Sequence, residues 1–299
     1  MKYLTMVVLL CVSCTVLAGC QAEIQSEIYT DDMGRQVEIN GVPQRIVSLA
    51  PSNTEILFAL GLGDRVVGVT RYCNYPEEAK EREIVGGFAT PDLEKIIALK
   101  PDLVLACGTL QKLLVAELEK RGQTVFWIYP HSVDEVLDSF ERLGKLTGSV
   151  TAAQDLRKRT EDKIKAVEAK IIDIPEQERV NVFRVMGIDP VGTIGGYSFQ
   201  TDVYRHVGAR NVFIDTDEDY FELDFETLNK LDPEIIIICG EDEEEARARL
   251  RNHEGWQDLT AVKKDSIVVI SCDLICRPSP RIGLTIEELA KKLYPERFN

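Results

Sequence analysis

Histidine is scarce in this sequence. His131, His206 and His253 are the only three in 299 residues, and they lie far apart. An isolated histidine is more often a surface or core residue than a ligand or a base. The chain also has no G-x-S-x-G elbow, P-loop, H-E-x-x-H helix or EF-hand loop, and Gly195-Gly196 lacks the rest of a dinucleotide fingerprint. No nucleophile, base and acid assemble, so no catalytic residue is assigned. Positive charge is in short supply as well: 35 Lys and Arg stand against 50 Asp and Glu, for a net charge of −15. That balance argues against nucleic acid and anionic lipid as partners and suits a cationic partner surface. No run is apolar enough for long enough to span a bilayer; the longest, Met6 to Leu17, falls short. Apart from Cys11 and Cys14, which lie within that run, no cysteines have zinc-type C-x-x-C spacing, and no metal site is expected.

What is present begins at the N-terminus. Lys2, the short apolar run and the small residues before Cys20 describe a secretory signal over residues 1–19. Leu17-Ala18-Gly19-Cys20 resembles the lipobox of bacterial and archaeal lipoproteins. The resemblance implies acylation of Cys20, which tethers the chain to a membrane face without spanning it. Cleavage removes Lys2 as the only charge, taking −15 to −16. Residues 20–40 read as a tether followed by an edge strand or hairpin. About 260 residues remain, enough for two lobes with cores of their own. Beyond Cys20 stand Cys73, Cys107, Cys239, Cys272 and Cys276. Cys107 and Cys239 end apolar strands and read as small buried residues. For Cys272 and Cys276, both a pair and two free thiols fit.

From Arg45 onward, short apolar strands alternate with helical segments. Strands are expected at 45–50, 66–69, 83–85, 103–106 and 124–128. Ser52 and Glu55 have the spacing of a capping box, and Thr90-Pro91 reads as the start of the next helix with Pro at its first position. Strands apolar throughout imply a mostly parallel sheet covered on both faces. Residues 41–148 form this N-terminal lobe. Helices follow at 133–146 and 151–172; the second, within a 149–174 connector, has mixed charge and an apolar stripe. It reads as a rigid link that resists hinge closure. Residues 175–299 repeat the α/β plan with strands at 180–185, 234–238 and 266–270. The fold class is therefore α/β, two lobes joined by a single long helix.

One phrase occurs twice. DLEKIIALKPDLVLACG at 92–108 returns as DFETLNKLDPEIIIICG at 224–240. Asp92/Asp224, Glu94/Glu226, Leu99/Leu231, Pro101/Pro233, Cys107/Cys239 and Gly108/Gly240 are identical without a gap. This favours internal duplication. In open α/β sheets a ligand sits beyond the C-terminal strand ends. The loops there, around Pro51-Ser52, Arg71-Tyr72, Gly86-Gly87-Phe88, Cys107-Gly108, 186–192 and 273–277, carry aromatics, small residues and few full charges. They suit a large, flat, amide-rich or weakly charged ligand.

The stretches RIVSLAPSNTEILFALG, GVTRYCNYP, GGFATPDLEKIIALKPDLVLA, DFETLNKLDPEIIII and RPSPRIGL, in this order, resemble a substrate-binding protein of ABC importers for cobalamin, haem and ferric siderophores. The resemblance is to the cobalamin-binding branch. It implies a monomeric extracytoplasmic binder with no resident cofactor, whose cargo is a corrinoid. Corrin contacts map to Pro51, Ser52, Tyr72, Phe88, Tyr220 and Arg277. Phe88 and Tyr220 replace Trp, and Cys107 and Gly192 stand where the family has aromatics, which touches the ligand more than the fold. Glu94 and Glu226 fall on the surface carboxylates that dock to Arg-rich pockets of a dimeric permease; both also complement a helix N-terminus. Haem, with Tyr72 as axial ligand, and a ferric siderophore are the alternatives within the class. A secreted metalloenzyme using Cys272, Cys276 and a His is the alternative outside it.

Overall fold

The computed structural model describes residues 26–298. The signal segment and Cys20 lie outside the described residues. Ser26–Thr30 and Gln36–Asn40 pair antiparallel as a hairpin of their own. Asp31 and Asp32 at its turn fix it to the lobe behind: Trp127 N donates to Asp31 and Tyr129 N to Asp32, which also pairs with Arg142.

Behind the hairpin lies a five-stranded parallel sheet in the order Glu83–Ile84, Val66–Val69, Ile46–Ser48, Leu103–Ala106, Val125–Trp127. Its first strand in sequence is central, so the winding reverses between Ile46–Ser48 and Leu103–Ala106. The second lobe holds a four-stranded parallel sheet ordered Ala209–Asn211, Val180–Val185, Ile235–Cys239, Ile267–Ile270. Its reversal lies between Val180–Val185 and Ile235–Cys239. The central strands Leu103–Ala106 and Ile235–Cys239 are covered on both faces, which is why they are continuous apolar runs, while the edge strand Glu83–Ile84 is exposed.

The connecting helix, Val150–Ile171, buries the stripe Ala153, Leu156, Thr160, Ile164, Val167 and Ile171. It lies close against the helix Val133–Thr147, because a Cβ on Gly144 would come within 2.4 Å of the Ala153 side chain. One apolar cluster runs from Ile46 and Phe140 through Leu156 and Ile164 to Val182, Ile237 and Ile286, so the connector shares its core with both lobes. Separate clusters fill the far face of each sheet, around Trp127 in one and Trp256 in the other.

The expected starts of two helices shift. The first helix is Pro51–Ala59, with Ala50 as its cap and Pro51 at its first position. Proline has its φ preset and no N–H to satisfy, so the helix begins before Ser52, and Ser52 is not a cap. The second, Leu93–Ala98, is capped by Asp92, whose carboxylate accepts from Glu94 N and Lys95 N; Pro91 stays outside. Several short elements were not anticipated: the antiparallel pair Val191–Ile194 and Tyr220–Leu223, the edge strand Ala209–Asn211, and the helices Thr260–Lys263 and Cys272–Ile275. They are too short for a periodic signal and are held by their neighbours.

The two copies of the repeated phrase fold alike. Asp224 caps Phe225–Leu231 through Thr227 N, as Asp92 caps its helix. Lys100 and Asp232, the residues before Pro101 and Pro233, both take left-handed φ, 48° and 38°. A non-glycine residue there is uncommon, and it recurs at the same offset in both segments.

Candidate functional site between the lobes

The reversal point of the first sheet opens into a cleft of about 330 Å³ between the lobes. Ala50, Pro51, Ser52, Tyr72, Phe88 and Cys107 line one side; Cys272, Asp273, Cys276, Arg277 and Pro278 line the other. Five of the six expected ligand contacts, Pro51, Ser52, Tyr72, Phe88 and Arg277, are thus brought together. Tyr220 is not among these lining residues. It is about half exposed on the strand Tyr220–Leu223, its hydroxyl donating to Glu222 at 3.2 Å.

Phe88 reaches the cleft through a tight loop. Gly86 has φ +116°, and a Cβ there would sit 2.8 Å from Thr90 O, so only glycine serves. The loop is held from behind by Gln111, which sequence reasoning did not single out. Its fully buried amide donates to Leu49 O and Phe88 O, both at 2.9 Å, and accepts from Cys107 N at 3.0 Å. One side chain thereby positions three cleft loops. Its only sequence signal is a polar residue at the start of a helix.

Arg277 does not stand free. Its guanidinium donates to Glu55 at 2.9 Å, Asn74 Oδ1 at 2.8 Å and Tyr72 O at 3.2 Å, and also to Asp273. Arg281 binds the same Glu55 carboxylate through two nitrogens, at 2.8 and 2.6 Å. Glu55 is only 2 % exposed. A buried carboxylate in the first lobe is therefore neutralised by two arginines from the second. Glu55 is spent on this clamp and not on a capping box. On the far side of the Cys107–Gly108 turn a second opening of about 420 Å³ is bordered by Asp32, Tyr129, His131, Tyr197 and Asp219. Here too the lobes meet: the His131 and Tyr197 rings stack at 4.0 Å, and Tyr129 donates to Asp219.

The cleft has little uncompensated charge. Cys107, hydrogen-bonded to Ser52, has its thiol pushed up to about 12 by burial, so it is a neutral wall. The exposed aromatic faces are Tyr72 and, partly, Phe88. Glu94 and Glu226 lie outside the cleft. Each is exposed in the first turn of its helix, Glu94 beside Arg121 at 3.3 Å and Glu226 beside Lys230 at 2.6 Å.

A two-lobed α/β binder with its cleft at the strand ends defines a class, and comparison with known proteins gives the family. The sequence profile of the periplasmic binding protein family matches residues 46–274, and the chain belongs to that family. It is 34% identical to an uncharacterized ABC transporter substrate-binding lipoprotein of Bacillus subtilis, over 97% of this chain and 96% of the relative. It is 31% identical to the vitamin B12-binding protein of Vibrio cholerae, over 84% of this chain and 89% of the relative. The crystal structure of a periplasmic vitamin B12 binding protein from Vibrio cholerae superposes with a TM-score of 0.73 at 27% identity, covering 86% of this chain and 99% of that one. The protein is an ABC-transporter substrate-binding protein, of a family that includes vitamin B12-binding proteins. Its family is one of solute-binding proteins, and among the described residues no helix is long and apolar enough to cross a membrane.

Proposed function

We propose that the protein captures a corrinoid in the interlobe cleft and delivers it to a dimeric ABC permease. The observation that carries this reading is the character of the cleft. It is apolar, flanked by Tyr72 and Phe88, and its one arginine is already neutralised by Glu55 and Asp273. An anionic ferric chelate needs free positive charge there; a flat macrocycle edged with neutral amides needs apolar faces and scattered hydrogen-bonding groups. Pro51, Ser52, Tyr72 and Phe88 would meet the ring, Arg277 would frame it through its fixed guanidinium, and Tyr220 would reach it from the second lobe. The similarity to vitamin B12-binding proteins points the same way.

Glu94 and Glu226 are the docking carboxylates in this reading. They occupy equivalent places on equivalent helices, so two lobes can meet two equivalent permease subunits. A lipid on Cys20 holds the monomer at the outer face of the membrane. The test is calorimetric titration of the purified protein with cyanocobalamin, with haem run in parallel. Tight one-to-one binding of cobalamin is expected. Silence with cobalamin together with binding of haem or a ferric chelate would overturn the corrinoid assignment.

A further inference from the structure

Arg184 is the most unusual charge in the molecule. It lies in the strand Val180–Val185 and is 0 % exposed. Its acceptors are Gln200 Oε1 at 2.9 Å, the carbonyls of Val185 and Ile237, and Cys276 Sγ at 3.4 Å. None is a carboxylate. A buried guanidinium without an anion is strongly unfavourable, and Tyr204 beside it is equally buried with its hydroxyl unpaired. The groups left to carry a compensating charge are sulfurs. Cys239 ends the neighbouring strand opposite Ile270, and Cys272 opens the short helix just beyond Ile270. Of the three sulfurs, Cys276 is the one that Arg184 touches directly, and Cys239 and Cys272 flank it at the ends of the neighbouring strands. All three cysteines are free; Cys239 and Cys272 are partly exposed and Cys276 is exposed. Cys272 and Cys276 also line the cleft.

We infer that Cys239, Cys272 and Cys276 form a reactive thiol–disulfide site in the cleft wall, in which the buried Arg184 holds one sulfur as a thiolate. Among the described residues no cluster of three or more His, Cys, Asp or Glu side chains has the arrangement of a metal site, so the chemistry of the trio is that of sulfur itself. The two neighbouring thiols and the guanidinium hold Cys239 well below the ordinary thiol range, against the cost of its burial, while Cys272 and Cys276 are pushed up as donors to it. The nearby carboxylates are engaged elsewhere: Glu241 accepts from Ser271 Oγ and Cys272 N, and Asp273 accepts from Arg277 and Asn74. The co-reactant is a low-molecular-weight disulfide, the oxidant expected outside the cytoplasm. The Cys239 thiolate attacks one of its sulfurs, the S–S bond breaks, and one thiolate leaves. Cys272 or Cys276 then loses its proton and attacks the Cys239 sulfur of the mixed disulfide, expelling the second thiolate. Two protein thiols are oxidised, one disulfide is reduced to two thiols, and the departing sulfurs take up the released proton and one from solvent. The inference does not depend on which ligand the cleft takes.

The experiment uses the full purified chain. It is incubated with oxidised glutathione at neutral pH and mapped by peptide mass spectrometry. A cross-link from Cys239 to Cys272 or Cys276 is expected, with Cys73 and Cys107 still reduced. In parallel, the alkylation rate of each cysteine by iodoacetamide is followed from pH 8 to pH 5.5. An ordinary thiol slows roughly 200-fold over that range; Cys239 is expected to slow less than tenfold. Replacing Arg184→Gln should restore most of the ordinary slope, and Arg184→Lys should not. If wild-type Cys239 slows like an ordinary thiol, or no cross-link to it forms, the inference fails without any variant having to fold.

Discussion

The two copies of the repeated phrase end on the same residues, Cys107-Gly108 and Cys239-Gly240, yet only Cys107 lines the cleft and the two thiols have opposite surroundings. Cys107 is buried beside Ser52 and is held neutral. Cys239 stands near two more thiols and a buried arginine, which hold it below the ordinary thiol range. The lobes differ likewise in how they treat buried charge. The first encloses a carboxylate, Glu55, and the second supplies two arginines for it. The second encloses Arg184 and supplies no carboxylate, only an amide, two carbonyls and a sulfur. Duplicated backbone therefore does not mean duplicated chemistry. The cap, the left-handed residue before proline and the strand are local and recur in both segments; the partners of the last residue come from elsewhere in each lobe.

The comparison breaks most violently at Glu55. Glu55→Ala leaves Arg277 and Arg281 short of their shared anion, and loss of one member of a buried pair costs about 3–5 kcal/mol. Chemical denaturation should register that loss, with the ligand cleft disordered first because Arg277 forms its wall. A variant as stable as wild type would mean that the interlobe clamp contributes nothing.

Next in size is the symmetry of the surface. Glu94→Arg and Glu226→Arg should each cut uptake through a reconstituted importer at least tenfold, and together abolish it. Affinity for the free ligand should stay unchanged in all three, since both residues lie outside the cleft. Strongly unequal single effects would show that the two copies are not equivalent to the permease.

The smallest effect sharpens the comparison most. Asp92→Ala and Asp224→Ala remove the same cap from the same helix in each lobe. Each should lower the melting temperature by a few degrees and by the same amount. A marked difference between them would show that the copied segments are anchored differently despite their identical form.

Much of the fold was legible because its signals are local. The central parallel strands were visible as apolar runs at 103–106 and 234–238, and were found at Leu103–Ala106 and Ile235–Cys239. The connecting helix was visible as a long stripe without Gly or Pro and was found at Val150–Ile171. The strand Tyr220–Leu223 was not visible, since four residues pairing with another short strand carry no period of their own. The site was legible in part. Tyr72 and Phe88 could be placed on loops at strand ends, but the role of Gln111 could not, because its acceptors lie 62 and 23 residues away.

The sequence by itself determined the α/β class, the two-lobed plan, the repeated unit with its two exposed carboxylates, and membership of the importer-binding class. Each of these is written in short contiguous segments, where capping, periodicity and proline geometry act, and in the order of those segments along the chain. Only the tertiary structure decided the fates of Glu55, Arg277, Arg184 and Cys239. Their partners lie across a lobe or across the cleft, and a charge or a thiol has no fixed chemistry until burial and its neighbours assign one.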